Sequence, residues 1–233
     1  MPSGTVRRLP WAGAGLTALL AGAMLLAGCG SSASSTPTRS PTDTVSQMKS
    51  AVKAARSVHL NGTVHASGQA IGLNLGLIRS GGLSGTITEN GVPLSLTETG
   101  GNVYIKATSA VLRQFAPSSS ACSLVCGKYI KMTAAQAGAL AGSLNMDRLL
   151  ASLTGPLPKF SNGGTTTVRG QQAQVLRAQD GSTLDVAASG TAYPLRAVGK
   201  SSSGQLDFTQ WNSVKQPAAP PANQVVNLSR LGR

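Results

Sequence analysis

Residues 71–106 read IGLNLGLIRSGGLSGTITENGVPLSLTETGGNVYIK, and this stretch decides the fold. Its large apolar side chains recur at every second position, at Leu73, Leu75, Leu77, Leu94, Leu96, Val103 and Ile105. Successive side chains of a β-strand point to opposite faces, so this alternation predicts antiparallel strands with one apolar face. The pairs between the apolar runs favour hairpin turns, at Gly81-Gly82, Asn90-Gly91 and Gly100-Gly101. We therefore predict about five strands in a meander over residues 58–107.

A second alternating run extends over residues 165–212 and predicts another meander. Its strands are expected at Thr165–Arg169, Ala173–Ala178, Ser182–Ala187, Leu195–Lys200 and Gln205–Trp211. Its turns are expected at Asp180-Gly181, Ser189-Gly190 and Ser203-Gly204.

Helical patterns precede and separate the two meanders. Apolar residues at helical spacing predict an amphipathic helix over Asp43–Ser57, with Thr42 or Asp43 as its N-cap. Between the meanders we expect a short helix over Thr108–Phe115, a loop to Gly127 and a strand over Tyr129–Met132. An alanine-rich stretch follows over Thr133–Leu144. An amphipathic helix is then expected over Met146–Leu153, with Asn145 as its N-cap. This order predicts an α+β fold: a large curved antiparallel sheet, or half-barrel, with helices covering its concave face.

The predicted helices carry apolar residues that would face the sheet, at Leu140, Leu144, Leu149, Leu150 and Leu153. Together with the seven apolar strand residues of 71–106, they would either close a solid core or line a cavity for acyl chains. The alternation by itself favours the solid core.

The first thirty residues are typical of an exported protein. Arg7 and Arg8 precede an uncharged run from Ala12 to Leu26, which predicts a secretory signal peptide over residues 1–28. The run ends in Leu26-Ala-Gly-Cys29, which resembles the bacterial lipobox. That resemblance implies lipidation of Cys29 and an anchor on the extracytoplasmic face of the cell membrane.

The regions on either side of the predicted domain are rich in turn-forming residues. Residues 29–42 are mostly Ser, Thr and Pro and predict a flexible tether. Residues 213–233 contain the Pro-rich stretch 216–221 and predict a stiff tail that ends in a short strand or a loose segment. The folded domain is therefore expected at 43–212.

Composition argues against several classes of function. The 233 residues include 20 Lys and Arg against 7 Asp and Glu, but the basic residues are scattered, and Phe, Trp and Tyr make up only 3%. A nucleic-acid-binding surface is therefore not expected, because it needs clustered cations or stacking aromatics. Two His and three Cys provide too few ligands for a typical multi-residue metal centre, so we expect no metal and no cofactor.

Cys122 and Cys126 are the only cysteines besides Cys29. Outside the cytoplasm thiols tend to oxidise, so a disulfide within this segment is the first interpretation. Metal binding lacks further ligands, and redox catalysis typically uses the tighter Cys-x-x-Cys spacing.

Other candidate chemistry has a simpler explanation. His59 and His65 would share one solvated face of a strand. Ser46-x-x-Lys49 and Ser50-x-x-Lys53 match a penicillin-binding motif, but the partner motifs of that family are missing. The seven acidic residues are isolated in the sequence, which favours turn and surface roles, at Asp43, Glu89, Glu98, Asp147, Asp180, Asp185 and Asp207. We therefore expect that the protein is not an enzyme.

Four segments carry a resemblance to a known family: the lipobox, residues 51–63 (AVKAARSVHLNGT), residues 101–106 (GNVYIK) and residues 127–131 (GKYIK). They resemble the actinobacterial lipoproteins of the LppX/LprG group, within the wider LolA-like fold, over residues 43–212. The resemblance implies a half-barrel with helices across its mouth and an apolar cavity. It implies binding of a lipid or acylated glycolipid for carriage within the envelope. We further expect a monomer, with a membrane transporter as a further partner. The alternative is a structural, interaction or sensing lipoprotein with a filled core.

Overall fold

A computed structural model describes residues 39–66, 68–115, 120–138 and 145–227. These cover the predicted domain apart from three short gaps. The predicted signal peptide, Cys29 and most of the tether lie outside the described residues, and so do Leu140 and Leu144.

The described residues form one sheet of twelve strands. The strands are β1 (Ser57–Ala66), β2 (Gln69–Ile78), β3 (Leu83–Glu89), β4 (Val92–Thr99), β5 (Asn102–Lys106), β6 (Tyr129–Thr133), β7 (Phe160–Val168), β8 (Gln171–Ala178), β9 (Thr183–Ala187), β10 (Pro194–Val198), β11 (Gly204–Thr209) and β12 (Val225–Asn227). Their order in the sheet is β12-β6-β5-β4-β3-β2-β1-β11-β10-β9-β8-β7. The two predicted meanders are therefore present, and the antiparallel pairing of β1 with β11 joins them.

Five α-helices lie within the described residues. They are α1 (Pro41–Ala54), α2 (Ser109–Phe115), α3 (Ser120–Val125), α4 (Ala134–Ala137) and α5 (Met146–Thr154). Both α1 and α5 bury side chains in the same hydrophobic cluster as the sheet. The predicted α+β class with one large sheet and helices on its apolar face is confirmed.

The turns of the first meander follow the predicted chemistry. Asn90 and Gly91 both have positive φ, at 51° and 76°, and join β3 to β4 with two residues. Such a turn suits Asn-Gly because both central residues must adopt a left-handed backbone.

The start of α1 corrects the predicted cap. Ser40, and not Thr42 or Asp43, is the N-cap, and its hydroxyl accepts from the backbone N–H of Asp43. Pro41 follows at the first helical position, where its missing N–H costs nothing because the groups there have no partner within the helix. The predicted cap at Asn145 is confirmed, since its side chain accepts from the backbone N–H groups of Asp147 and Arg148.

Three other boundaries differ from the predictions. The expected loop before Gly127 contains α3, whose Val125 is 2% exposed and packs with Ala107 and Leu112. The described part of the alanine-rich stretch, residues 133–138, contains the short helix α4, which ends where Gly138 takes a φ of +50°. β7 begins at Phe160, earlier than the predicted start at Thr165. The prediction missed the first residues because the strand register shifts between Asn162 and Thr165 and interrupts the alternation on which it relied.

The C-terminal stretch also contributes to the sheet. β12 pairs in parallel with β6, with Val226 opposite Ile130. Val226 packs against the cluster that contains Ala107 and Val125. The chain after residue 212 therefore returns to the far edge of the sheet, where it adds a strand.

Candidate functional site

The two faces of the sheet differ in chemistry. We call the face that packs against α1 and α5 the inner face, and the opposite one the outer face. Strand register places Leu60, Leu75 and Leu96 on the inner face, together with Phe208. The outer face carries His59, Asn61, Asn74, Asp185, Arg196 and Asp207.

A row of apolar residues crosses the inner face from β10 to β4. The pairings Ala197–Leu206, Leu206–Gly62, Gly62–Leu73, Leu73–Ile87 and Ile87–Leu94 make it continuous. We call Ala197, Leu206, Gly62, Leu73, Ile87 and Leu94 the apolar row. Six neighbouring strands span about 24 Å, which is long enough for an extended acyl chain to lie across them.

Burial changes sharply between this row and the next. Leu60, Leu75 and Leu96 lie two residues along their strands from the apolar row, and they are 3%, 0% and 3% exposed. Leu73, Ile87 and Leu94 are only partly buried, although they pack against the same cluster. The inner face therefore has a closed part beneath the helices and a half-open apolar part beside it.

Some of the predicted cavity residues lie in the closed part of the inner face, and others lie in its half-open part. Leu75, Leu77, Leu96 and Val103 are at most 3% exposed, and Leu153 is 8% exposed. Leu73, Leu94, Ile105 and Leu149 are half-buried and pack against the cluster. Sequence analysis missed Ile87, Leu206 and Ala197, although the alternation of Leu83, Gly85 and Ile87 carried the signal for β3.

Two glycines leave gaps in the side-chain layer of the inner face. Gly62 lies between Leu206 and Leu73, and Gly85 lies between Leu75 and Leu96. A Cβ atom at either position would lie 2.0 Å from a backbone carbonyl oxygen of a neighbouring strand, so a side chain is excluded there. The missing side chains leave shallow depressions in the inner face at Gly62 and Gly85.

Specific polar contacts hold α1 and α5 over this face. The buried hydroxyl of Thr44 on α1 donates to Oε1 of Gln174 on β8 at 2.8 Å. Lys49 Nζ donates to the carbonyl of Gly155, at the end of α5, at 2.7 Å. This contact gives Lys49 a structural role between the two helices.

Arg79, which follows β2, connects both helices. Its Nη2 and Nε donate to the carbonyls of Val52 and Ala55 at the end of α1, at 3.0 and 2.7 Å. Its Nη1 pairs with the carboxylate of Asp147 in the first turn of α5. A cation at the C-terminus of one helix and an anion at the N-terminus of the other both suit the helix dipoles.

The outer face contains a charged cluster that the sequence did not predict. Asp207 accepts from Arg196 Nε at 2.7 Å and from Arg169 Nη2 at 2.9 Å. Asp185 lies opposite Arg196 on the neighbouring strand. Asp185 and Asp207 are each 6% exposed, so the expected surface role is wrong for these two acids.

The two carboxyls have pKa values shifted in opposite directions. The hydrogen bond from Arg196 lowers the pKa of Asp207 and outweighs the burial of that group. Burial raises the pKa of Asp185, partly offset by the charge of Arg196. The difference arises because Asp207 accepts two guanidinium groups.

The two histidines lie on the outer face, as the period of β1 predicts. His59 Nε2 lies 2.8 Å from Asn74 Oδ1, and its Nδ1 lies 3.3 Å from Thr209 Oγ1. Six residues separate His65 from His59, which is about 20 Å along a strand and too far for a shared ligand. Among the described residues, no three His, Cys, Asp or Glu side chains form a group that could hold a metal ion.

Cys122 and Cys126 form a disulfide across α3 and the residue that follows it. The hydroxyl of Ser109 on α2 lies 3.4 and 3.6 Å from the two sulfur atoms. The pair belongs to the small cluster beneath β6 and β12, away from the apolar row. No helix in the described ranges has the length and apolarity needed to cross a bilayer.

Comparison with known proteins supports the fold. No family model matches the sequence, and no curated protein is detectably similar to it in sequence. The crystal structure of LprF from Mycobacterium bovis matches over 79% of this chain and 97% of that chain, with a TM-score of 0.55 at 15% identity. The chain has the fold of LprF. Lipoprotein LppX of Mycobacterium tuberculosis matches over 77% of this chain and 97% of that chain, with a TM-score of 0.46 at 16% identity.

The LprF fold confirms the resemblance to the LppX/LprG group at the level of architecture. The match covers nearly the whole of LprF, so the sheet and its helices are shared as one unit. An identity of 15% says nothing about ligand, and the function must be argued from the apolar row and the faces of this sheet.

Proposed function

We propose that this chain is an extracytoplasmic lipoprotein, anchored through Cys29, that binds the acyl chains of a lipid or glycolipid along the apolar row. The observation that carries the proposal is the continuous, half-buried run from Ala197 to Leu94 beside a closed core. The part of this half-buried apolar strip that still contacts water gains free energy when another apolar group covers it.

The energetics favour an acyl chain as the occupant. Each buried methylene contributes about 0.8 kcal/mol, and a site lined by Leu and Ile requires no directional contact. The inner-face glycines add room for a chain to approach the backbone. The role proposed for the protein with its bound lipid is to carry that lipid within the envelope. The lipid headgroup would lie near the open edge of the apolar row.

Native mass spectrometry of the exported Cys29→Ser protein tests lipid binding. This substitution removes the site of the anchor, so any bound acyl mass must belong to the domain. We expect a discrete lipid adduct that is lost on denaturation. A protein purified from an actinobacterial host that shows only its own mass would contradict the proposal and support the alternative, an interaction or sensing lipoprotein with a filled core.

A matched pair of variants locates the ligand. Leu73→Gln places an amide in the apolar row, whereas Ile78→Gln changes a half-buried residue at the end of the same strand on the outer face. We expect the adduct to fall at least about fivefold in Leu73→Gln, because an unpaired amide in an apolar site costs roughly 1–3 kcal/mol. Equal loss in both variants would place the ligand elsewhere.

Membrane anchoring is tested separately by cell fractionation. The Cys29→Ser substitution removes the only thiol in the lipobox. We expect the variant to leave the membrane fraction, because two acyl chains are needed for stable anchoring. Continued membrane association of the variant in high salt would contradict the predicted anchor.

A further inference from the structure

A pocket of about 440 Å³ lies between the outer-face cluster that contains Val168 and Leu195 and three aromatic residues that pack in the core cluster. Its walls are the turn between β7 and β8, the segment between β9 and β10, and the end of β11. Val168 and Leu195 form part of its floor and belong to a small apolar cluster of their own. No residue of the apolar row lines the pocket, although Phe208, Tyr193 and Trp211 pack in the same core cluster.

Aromatic residues are concentrated at this pocket. The whole chain has three Phe, two Trp and three Tyr, and one of each lines it: Phe208, Trp211 and Tyr193. The rings of Tyr193 and Trp211 stack with centroids 4.5 Å apart and planes 6° apart. Hydrogen bonds fix both rings, from Trp211 Nε1 to the carbonyl of Pro194 at 3.1 Å and from Asn212 Nδ2 to the Tyr193 hydroxyl at 2.7 Å.

Arg169 forms the opposite wall in an unfavourable backbone conformation. It has a φ of +50° and, with Gly170, makes the two-residue turn between β7 and β8. The corresponding turn between β3 and β4 uses Asn90, the residue type that tolerates this conformation best. An arginine in this conformation costs free energy, which the contact of its side chain with Asp207 offsets.

The guanidinium of Arg169 is held in place but keeps free capacity to donate. Its Nη2 donates to Asp207 at 2.9 Å, and its side chain is 55% exposed. A guanidinium has five N–H groups, so several remain for a ligand. Asp207 pairs with Arg196 as well, so it offsets only part of the charge of Arg169, whose remaining N–H groups can donate to a hydroxyl oxygen.

The remaining walls are neutral and hydrogen-bonding. Gln171, Thr209 and Gln210 contribute amides and a hydroxyl, each of which can donate and accept. Gln171 and Gln210 are exposed. An acyl chain would leave these groups without partners, whereas a ligand with many hydroxyls would satisfy them.

We propose that this pocket binds a neutral saccharide. The C–H face of a pyranose ring would pack on the Tyr193–Trp211 stack, and its hydroxyls would bond Arg169 and the two glutamine amides. A concave site with aromatic surface and a few fixed polar groups is the usual form of a small-ligand site. The proposal does not rest on lipid binding, because no residue of the apolar row lines the pocket.

The indole N–H signal of Trp211 reports on this site in nuclear magnetic resonance. In the full chain carrying Trp11→Phe, Trp211 is the single tryptophan and gives a single indole signal. We expect maltose or methyl α-mannopyranoside to shift that signal saturably at millimolar concentration. Inorganic phosphate, added at the same ionic strength, is expected to leave it unchanged.

Variants of exposed residues distinguish this site from others. Gln171→Ala removes a side-chain amide that lines the pocket and for which the structure shows no hydrogen bond within the protein. Arg169→Lys keeps the positive charge but loses the planar guanidinium with its several N–H donors. We expect each to weaken the sugar titration about fivefold, as for the loss of one neutral hydrogen bond. Arg177→Ala, an exposed change on β8 away from the pocket, should leave it unaltered.

Three results would overturn the proposal. The first is an indole signal that neither sugar moves at tens of millimolar, with a well-dispersed spectrum that shows the chain to be folded. The second is a shift produced by phosphate alone, which would make Arg169 a simple anion site. The third is a sugar titration that Gln171→Ala and Arg169→Lys leave unchanged.

Discussion

Arg79 is the side chain on which the placement of both covering helices depends. It donates to two carbonyls at the end of α1 and pairs with Asp147 at the start of α5. We expect Arg79→Ala to lower the free energy of unfolding by about 2 kcal/mol, because it leaves carbonyls unpaired and removes charged hydrogen bonds. Urea denaturation followed by circular dichroism measures this change.

A control separates this role from the loss of a surface charge. Arg177→Ala removes an equally large cation that lies exposed on β8. It should change the unfolding free energy by no more than about 0.5 kcal/mol. Similar losses in the two variants would show that Arg79 does not hold the helices.

Asp185 and Asp207 are expected to affect stability with opposite sign. The pKa of Asp207 is lowered, mainly by the Arg196 hydrogen bond, so its stabilisation is full above the ordinary value of 3.8 and is lost as the pH falls through the lowered value. The pKa of Asp185 is raised by burial, so the unfolded chain ionises first, and stability falls as the pH rises from 3.8 through the raised value.

Two isosteric variants test that sign. At pH 7, Asp207→Asn should destabilise the protein because it leaves Arg196 and Arg169 without their carboxylate. Asp185→Asn should stabilise it at pH 7 and flatten the decline in stability above pH 3.8. Thermal unfolding across the acidic range measures both, and a destabilised Asp185→Asn protein at neutral pH would refute the assignment.

At the scale of elements, the strength of the local pattern decided what the sequence could predict. The ten strands of the two meanders were foreseeable because period-two alternation recurs along both and glycine turns separate most of the hairpins. No turn was predicted between β1 and β2 or between β7 and β8. β12 was harder, because three residues carry no period and its pairing with β6 joins segments far apart in sequence. α3 escaped prediction because its helical form depends on packing of Val125 against Ala107 and Leu112.

The disulfide of α3 is expected to have a local effect. A ring closed by a separation of four residues contributes at most about 2 kcal/mol by loop entropy. In a Cys122→Ser, Cys126→Ser protein, amide exchange should accelerate in α3, whereas exchange in α1 stays unchanged. Non-reducing peptide mapping of the parent should join Cys122 to Cys126, and two free thiols would contradict the pairing.

How deeply each residue of the inner face is buried depends on the whole molecule and not on the local sequence pattern. Alternation predicted which residues share the inner face, but Leu75 and Leu73 are equivalent in that pattern. Their different burial arises from where α1 and α5 lie, which depends on long-range contacts such as Thr44–Gln174 and Arg79–Asp147. The sequence therefore predicted the apolar face and could not divide it into closed core and open row.

If a lipid occupies that open row, it stabilises the folded molecule by mass action. A ligand at a hundred times its dissociation constant adds about 2.7 kcal/mol, which raises the melting temperature of a domain this size by about 5–10 °C. We expect solvent-based removal of the lipid to lower the melting temperature of the Cys29→Ser protein by that amount, and re-addition to restore it. Leu73→Gln should show a smaller difference in melting temperature than the parent, because it binds the lipid at least about fivefold more weakly. Ile78→Gln should keep the full difference. A parent protein whose melting temperature does not respond to lipid removal would mean that the row is covered by the chain itself.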